Sequence, residues 1–265
     1  NQEAKAKADF DKVIDVEQDK ALANYLVGEF YAEAGKLDLA MEYVNTAIGA
    51  DAKFAPAYFV RSIVKQANQD ATALADMNKV IELEPKYTQA YLARASMYLR
   101  ANQPAQAEKD LNSAVSMVEN KAQINYLVAQ IYFGAQNMDK AIAHATSSIN
   151  ATASAPAYAM RANAYSSQKQ YDKAVADLDK AIEMAPNAAD LYMIRGVAQA
   201  NLTKLDLALV DTNKAIELAP NLAMAYVNRG MINLGLNKQT DAKADFKKAI
   251  SLNAKLAELV PAEFK

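Results

Sequence analysis

Five arginines and five aspartates stand at matched places in this chain and are its residues best suited to charge chemistry. Arg61, Arg94, Arg161, Arg195 and Arg229 are followed, in the same order and at nearly constant spacing, by Asp76, Asp110, Asp177, Asp211 and Asp245. Two uses fit them. They could form a row of ligand-binding arginines, or each could be half of a structural ion pair between two helices. Little else invites reaction chemistry. The single histidine, His144, leaves scant material for acid–base or metal work, and the absence of cysteine excludes thiol catalysis, disulfides and cysteine-ligated zinc. Acid pairs such as Asp177 and Asp179 are ordinary on solvated helix faces. There is no His–Glu metal motif, glycine-rich nucleotide loop or serine elbow. The sequence therefore predicts no enzyme and no cofactor.

The elements that position these charges follow a fixed period. The stretch 155–188 overlays 189–222 and then 223–256, matching Tyr158, Tyr192 and Tyr226, and likewise Ile182, Ile216 and Ile250. A repeat of this size is the mark of a stacked-repeat protein. Carried backward, the register gives full repeats at 21–54, 55–87, 88–121, 122–154, 155–188, 189–222 and 223–256. Residues 1–20 then form a half repeat, and 257–265 a C-terminal cap or tail. In that half repeat Ala6, Phe10, Val13 and Ile14 copy the spacing of Ala242, Phe246, Ala249 and Ile250. The whole reads as one solenoid with a continuous core of neighbour contacts.

Each repeat splits into two helices, here called A and B. In 155–188 helix A is expected from about Pro156, a favoured helix-start residue, to Ser167. A polar break at 168–170 follows, and helix B runs from Tyr171 to Met184, closed by Pro186. Helix B carries Ala174, Leu178, Ala181 and Ile182 at helical spacing. Small residues mark close approaches. The eighth position holds Gly28, Ser62, Ala95, Ala129, Ala162, Gly196 and Gly230, and the twentieth holds alanine in every repeat. A leucine at either place would overpack by roughly 1–3 kcal/mol.

The register also decides between the two uses of the charges. Arg at the seventh position and Asp at the twenty-third occur together in five repeats. The two repeats with Val27 and Val128 instead carry Tyr43 and His144. Shared presence and absence favour an ion pair inside each repeat. Asp9 holds the twenty-third position of the half repeat with no matching arginine. This implies a natural chain extended upstream by at least one helix A, unless the half repeat is itself a cap.

Bulk composition narrows the partners. A formal net charge of −2 with alternating signs argues against nucleic acid, which needs a concentrated basic face. No apolar run approaches the ~18 residues of a membrane span, and the apolar helix faces are consumed in stacking. The lack of cysteine and of an initiator Met leans toward an exported bacterial protein with its signal removed, with a cytoplasmic chain as the alternative.

These features resemble the tetratricopeptide repeat (TPR), a 34-residue helix–turn–helix unit. That unit has an aromatic early in helix A, small residues at positions eight, twenty and twenty-seven, and a proline near its end. Tyr158, Ala162, Tyr165, Ala174, Ala181 and Pro186 fit it in one repeat. Tyr or Asn replaces the usual first Trp. The resemblance implies an all-α, right-handed superhelical α-solenoid of stacked antiparallel helix pairs, with A helices lining a concave groove that holds protein or peptide partners. Carried over by position, the groove residues are Tyr25, Glu29, Phe59, Ile63, Leu92, Ser96, Tyr126, Gln130, Phe133, Asn163, Met193 and Val197. Its late part is Met-rich, continuing through Met224, Val227, Met231 and Leu234. These last would be covered instead if Leu256, Leu259, Val260 and Phe264 cap the stack. The carboxylate clamp that some relatives use on chaperone tails is missing from every three consecutive repeats. The expected function is a non-catalytic protein- or peptide-binding scaffold. The alternatives are a regulatory or substrate-recruiting region of a larger enzyme or assembly, and a self-assembling element that pairs through the open N-terminal half repeat.

Overall fold

A computed structural model describes residues 2–264, with side chains from residue 5 onward. The described residues contain helices and turns and no strand. They divide into two compact units, Asn1–Glu119 and Asn120–Lys265.

The first unit opens with α1 (Gln2–Val16) and continues with α2 (Lys20–Glu33), α3 (Leu37–Ala50), α4 (Ala55–Ala67), α5 (Ala73–Leu83), α6 (Thr88–Arg100) and α7 (Pro104–Met117). The second contains α8 (Lys121–Gly134), α9 (Met138–Ala151), α10 (Ala155–Ser167), α11 (Tyr171–Met184), α12 (Ala189–Asn201), α13 (Leu205–Leu218), α14 (Ala223–Gly235) and α15 (Gln239–Leu252). Even-numbered helices from α2 are A helices, and each packs on the B helix that follows it. The expected limits of 155–188 are met to within a residue.

One turn geometry makes every hairpin. At the fifteenth position Gly35, Gln69, Asn102, Gln136, Lys169, Thr203 and Asn237 all take left-handed backbone, with φ between 55° and 70°. In α10 the amide of Gln170 donates to the carbonyl of Tyr165 (2.9 Å), and that of Lys169 donates to Ser166 (2.9 Å). This pair of hydrogen bonds is the Schellman closure of a helix C-terminus, and it reverses the chain in three residues. The one-residue deletion in 55–87 falls just after this turn. It shortens helix B, so α5 begins only at Ala73, while the Asp70 carboxylate accepts from the amide and hydroxyl of Thr72 (both 2.8 Å).

The small-residue positions are explained by contact. A Cβ added at Gly230 would lie 2.5 Å from the Phe246 ring, and one at Gly28 would lie 2.6 Å from Val44. The eighth position is thus where buried side chains of helix B press against the backbone of helix A. Ser62 meets the same constraint differently: its buried hydroxyl donates to the Ala73 carbonyl at 2.7 Å.

At the C-terminus two short 3-10 turns, Ala254–Leu259 and Ala262–Phe264, fold back on the last repeat. Leu256 and Met224 pack against Tyr226, Val227 and Ala249, while Phe264 and Leu234 pack against Phe246 and the buried Val260. Val227 is buried and Leu256 packs against its cluster, as in the capping alternative of the two left open for this end. Leu259, expected in the same cap, is exposed.

Candidate functional site: the exposed faces of the A helices

The charged array forms a frame rather than a reaction centre. In each of the five repeats the arginine binds its own aspartate through two parallel hydrogen bonds. For Arg161 these run from Nε to Asp177 Oδ2 (2.8 Å) and from Nη2 to Oδ1 (2.7 Å). The aspartates are buried and the arginines nearly so. The hydrogen bond to aspartate outweighs burial and holds each guanidinium above its ordinary pKa. Asp76 takes a second cation, Lys65, at 2.8 Å. Burial alone would push its carboxyl up, but the hydrogen bonds from Arg61 and Lys65 prevail and hold it below the usual carboxylate range.

The third arginine nitrogen makes a link that the sequence reading missed. Nη1 reaches the twenty-fifth residue of the preceding repeat: Arg61 to Asn45 (2.9 Å), Arg94 to Asn78 (2.8 Å), Arg161 to Thr146 (3.0 Å), Arg195 to Asp179 (2.7 Å) and Arg229 to Asn213 (2.8 Å). Each guanidinium also lies over the tyrosine at the fourth position, from 5.1 Å for Arg61 on Tyr58 to 5.7 Å for Arg161 on Tyr158. The repeats with valine use other atoms. Tyr43 stacks on Tyr31 (5.6 Å) and donates its hydroxyl to Asp11, the twenty-fifth residue of the half repeat, at 2.6 Å. Burial and that bond push the Tyr43 phenol up to about 12. His144 stacks on Tyr132 (5.5 Å), and its Nδ1 lies 2.8 Å from Asn125 Oδ1. The histidine is therefore committed to packing.

The arginines are engaged inside the stack, and the residues assigned to the groove stand on the A helices. All twelve residues assigned to the groove are at least partly exposed. In the first unit Tyr25 donates to Glu29 at 2.6 Å, and burial followed by that carboxylate raises its phenol well above the usual value. The ring meets Phe54 edge-on at 5.5 Å, and Phe59 meets Tyr87 at 5.4 Å. Phe54 and Tyr87 were not foreseen. Both occupy the N-cap position just before a helix A, and an aromatic directly preceding that helix is the signal that finds them. Ile63 stands exposed on α4, Leu92 is half-buried on α6, and Ser96 spends its hydroxyl on the Leu92 carbonyl (3.1 Å).

In the second unit Gln130 donates to the Tyr126 hydroxyl at 3.2 Å on α8, with the half-buried Phe133 one turn on. Asn163 and Met193 are half-buried on α10 and α12. Val197 belongs to a formed depression of about 390 Å³ between α12 and α14. Ala200, Asn201, Leu205, Asn228, Met231 and Ile232 complete its lining. It pairs exposed Met and Val side chains with two amides, a chemistry suited to an apolar anchor on a peptide backbone. Among the described residues no group of three or more acids, histidines or cysteines is placed to hold a metal. Among the described residues no helix is long and apolar enough to cross a membrane.

Comparison with solved structures gives relatives by fold. Yeast Tom70 superposes with a TM-score of 0.69 at 16% identity, over 96% of this chain and 56% of that one. The Cut9 and Hcn1 hetero-tetramer of the APC/C gives 0.57 at 18% identity, over 84% of this chain and 45% of that one. YrrB, described as a TPR protein with an unusual peptide-binding site, gives 0.50 at 20% identity, over 69% of this chain and 98% of that one. The chain thus spans about half the length of the first two. No curated protein matches the sequence. Tetratricopeptide-repeat family models match residues 4–55, 92–157, 155–188 and 223–256, most of the chain, and the last two of these segments coincide with repeats of the period. The chain belongs to the tetratricopeptide-repeat family.

Proposed function

We propose that this chain is a non-catalytic scaffold that holds a protein or peptide segment against the exposed faces of its A helices. One observation carries the reading. The charged side chains that could do chemistry are spent in structural pairs, whereas aromatic, Met and amide side chains stay open on the A helices. Neighbours of the same fold support it, since Cut9 is described in an assembly with Hcn1 and YrrB with a peptide site. The two units offer different chemistry. The first presents Tyr25, Phe59 and the Glu29 carboxylate, suited to a segment with an apolar and a basic residue. The second presents Val197, Met231, Asn201 and Asn228, suited to a neutral apolar segment whose backbone the amides can bond. Affinity would come from a few apolar anchors rather than from total area.

The test is selection from a random peptide display library on the immobilised chain. Selected peptides are then titrated against Phe59→Glu and Met231→Glu variants whose helicity has been verified by circular dichroism. Peptides that lose binding to one variant or the other support the reading. Peptides that bind both variants and wild type equally would overturn it.

A further inference from the structure

We infer that the last repeat carries a ring-binding site between α13, α14 and α15, and that its ligand is the phenol ring of a tyrosine residue in a partner polypeptide. The site lies apart from the A-helix surface proposed above and does not depend on it. Internal repetition at the eleventh position carries the inference. In 88–121 and 155–188 a tyrosine stands there, and the frame arginine meets two rings. Arg94 lies 5.7 Å from Tyr91 and 5.8 Å from Tyr98, and Arg161 lies 5.7 Å from Tyr158 and 6.0 Å from Tyr165. Lys173, at the nineteenth position, closes over the Tyr165 ring at 5.3 Å. In 55–87 Lys65 holds the eleventh place and pairs with Asp76, and in 189–222 the buried Gln199 holds it. In 223–256 the residue is Asn233, which is short and turns inward to donate to Asp245 at 3.0 Å. Arg229 keeps Tyr226 at 5.5 Å, but no tyrosine follows at the eleventh position. Its side chain is 25% exposed, against 17% for Arg94 and 18% for Arg161.

The space beside Asn233 is a formed depression of about 300 Å³, whose lining includes Leu209, Asn213, Arg229, Lys238 and Asp241. Arg229 and Asp241 stand at the seventh and nineteenth positions, where Arg161 and Lys173 bracket the Tyr165 ring in 155–188. The depression is a gap within the stack and not its end. Leu209 and Asn213 wall it from the preceding repeat, whereas the C-terminal turns pack on α15 through Phe246 and Val260 and take no part in its lining. The fold supplies a ring at this place elsewhere, and a ring presented from outside completes the stack on the Arg229 guanidinium. Lys238 and Asp241 offer a donor and an acceptor to the peptide backbone that carries it.

The probe is N-acetyl-L-tyrosinamide, titrated into the intact chain and followed by backbone amide chemical shifts in NMR. Saturable shifts are expected around Arg229, Asn233 and Asp245, with an affinity about fivefold above that of N-acetyl-L-leucinamide. Asn233→Tyr supplies the ring from within, so it should raise the melting temperature and abolish the tyrosinamide shifts. Absence of saturable shifts would overturn the inference, as would equal binding of the leucine probe or undiminished binding by folded Asn233→Tyr. Shifts centred on Val197 and Met231 would also overturn it, since those residues belong to the A-helix depression. Tighter binding of free L-tyrosine than of the capped residue would do the same, by making a small amino acid the ligand. The wild-type titrations decide the matter even where Asn233→Tyr fails to fold.

Discussion

Replacing Arg161 by alanine removes two charge-assisted bonds to Asp177, at 2.8 and 2.7 Å, and one bond to Thr146 at 3.0 Å. The damage lies in what remains. Asp177 keeps only 9% of its side-chain surface, so its carboxylate is stranded in the packed layer between α10 and α11. Breaking a buried pair from one side costs about 3–5 kcal/mol. The 18% exposure of Arg161 lets some water reach the vacated site and places this case near the lower end, at about 3 kcal/mol. Replacing both partners in the style of repeat 122–154 should cost far less. That repeat uses Asn125, Val128 and His144 over Tyr132, and Tyr165 already occupies the Tyr132 position in 155–188. The triple variant Tyr158→Asn, Arg161→Val, Asp177→His should therefore lose no more than about 1 kcal/mol.

Because repeat arrays unfold locally, the reading should be local as well. Native-state hydrogen exchange of the α10 and α11 amides serves this purpose. A 3 kcal/mol loss accelerates exchange on the order of 100-fold, and a 1 kcal/mol loss about fivefold. Equal acceleration in the two variants would refute the reasoning. So would an Arg161→Ala effect below about fivefold, since the pair would then be a solvated contact of little consequence.

Asp76 carries an acid-dependent share of stability. Its folded pKa lies below the unfolded value, so its contribution is full above about pH 4 and is lost as pH falls through the folded value. An Asp76→Asn variant should show a shallower loss of helicity in acid titration than wild type, and an unchanged slope would remove Asp76 from the account. Glycines separate by environment. Gly230→Ala forces a methyl into the buried Phe246 ring and should cost about 1–3 kcal/mol, whereas Gly49→Ala meets no atom within 4 Å on α3 and should gain about 0.5 kcal/mol, both read from thermal melts. Thr203 holds φ of 60°, costly for a β-branched residue, so Thr203→Gly should raise the melting temperature; a fall would show that its side chain contributes more than its backbone loses.

Much of this was legible because repetition acts as its own control. Helix limits, the alanine positions and the Arg–Asp partnership each recur, so position rather than propensity identifies them. The link from arginine Nη1 to the twenty-fifth residue was hidden for a physical reason. That site needs only an acceptor oxygen, and Asn45, Asn78, Thr146, Asp179 and Asn213 supply it from three residue types. A chemical requirement met by several side chains leaves no repeated letter. Phe54 and Tyr87 escaped because they lie one residue outside the helix whose face they extend. The division into two units is not marked by the repeat limits, since its boundary falls inside repeat 88–121.

The cross-repeat link also explains why two sequence solutions coexist. An arginine spans three elements at once: its own helix B, the preceding helix B and the tyrosine beneath it. Removing it without replacement would uncouple adjacent hairpins as well as strand an aspartate. In 21–54 the same span is made in reverse. The aromatic stands on helix B, packs on Tyr31 of its own helix A, and reaches Asp11 of the preceding helix B with its hydroxyl. The coupled quantity is thus the register between successive B helices, and either an Arg–Asp pair or a Tyr–Tyr stack can set it. This places the fixed polar bonding on the B side of the stack. The outward residues of the A helices carry no share of that bonding, which is what the proposed use of their Met, Val, Phe and amide side chains requires.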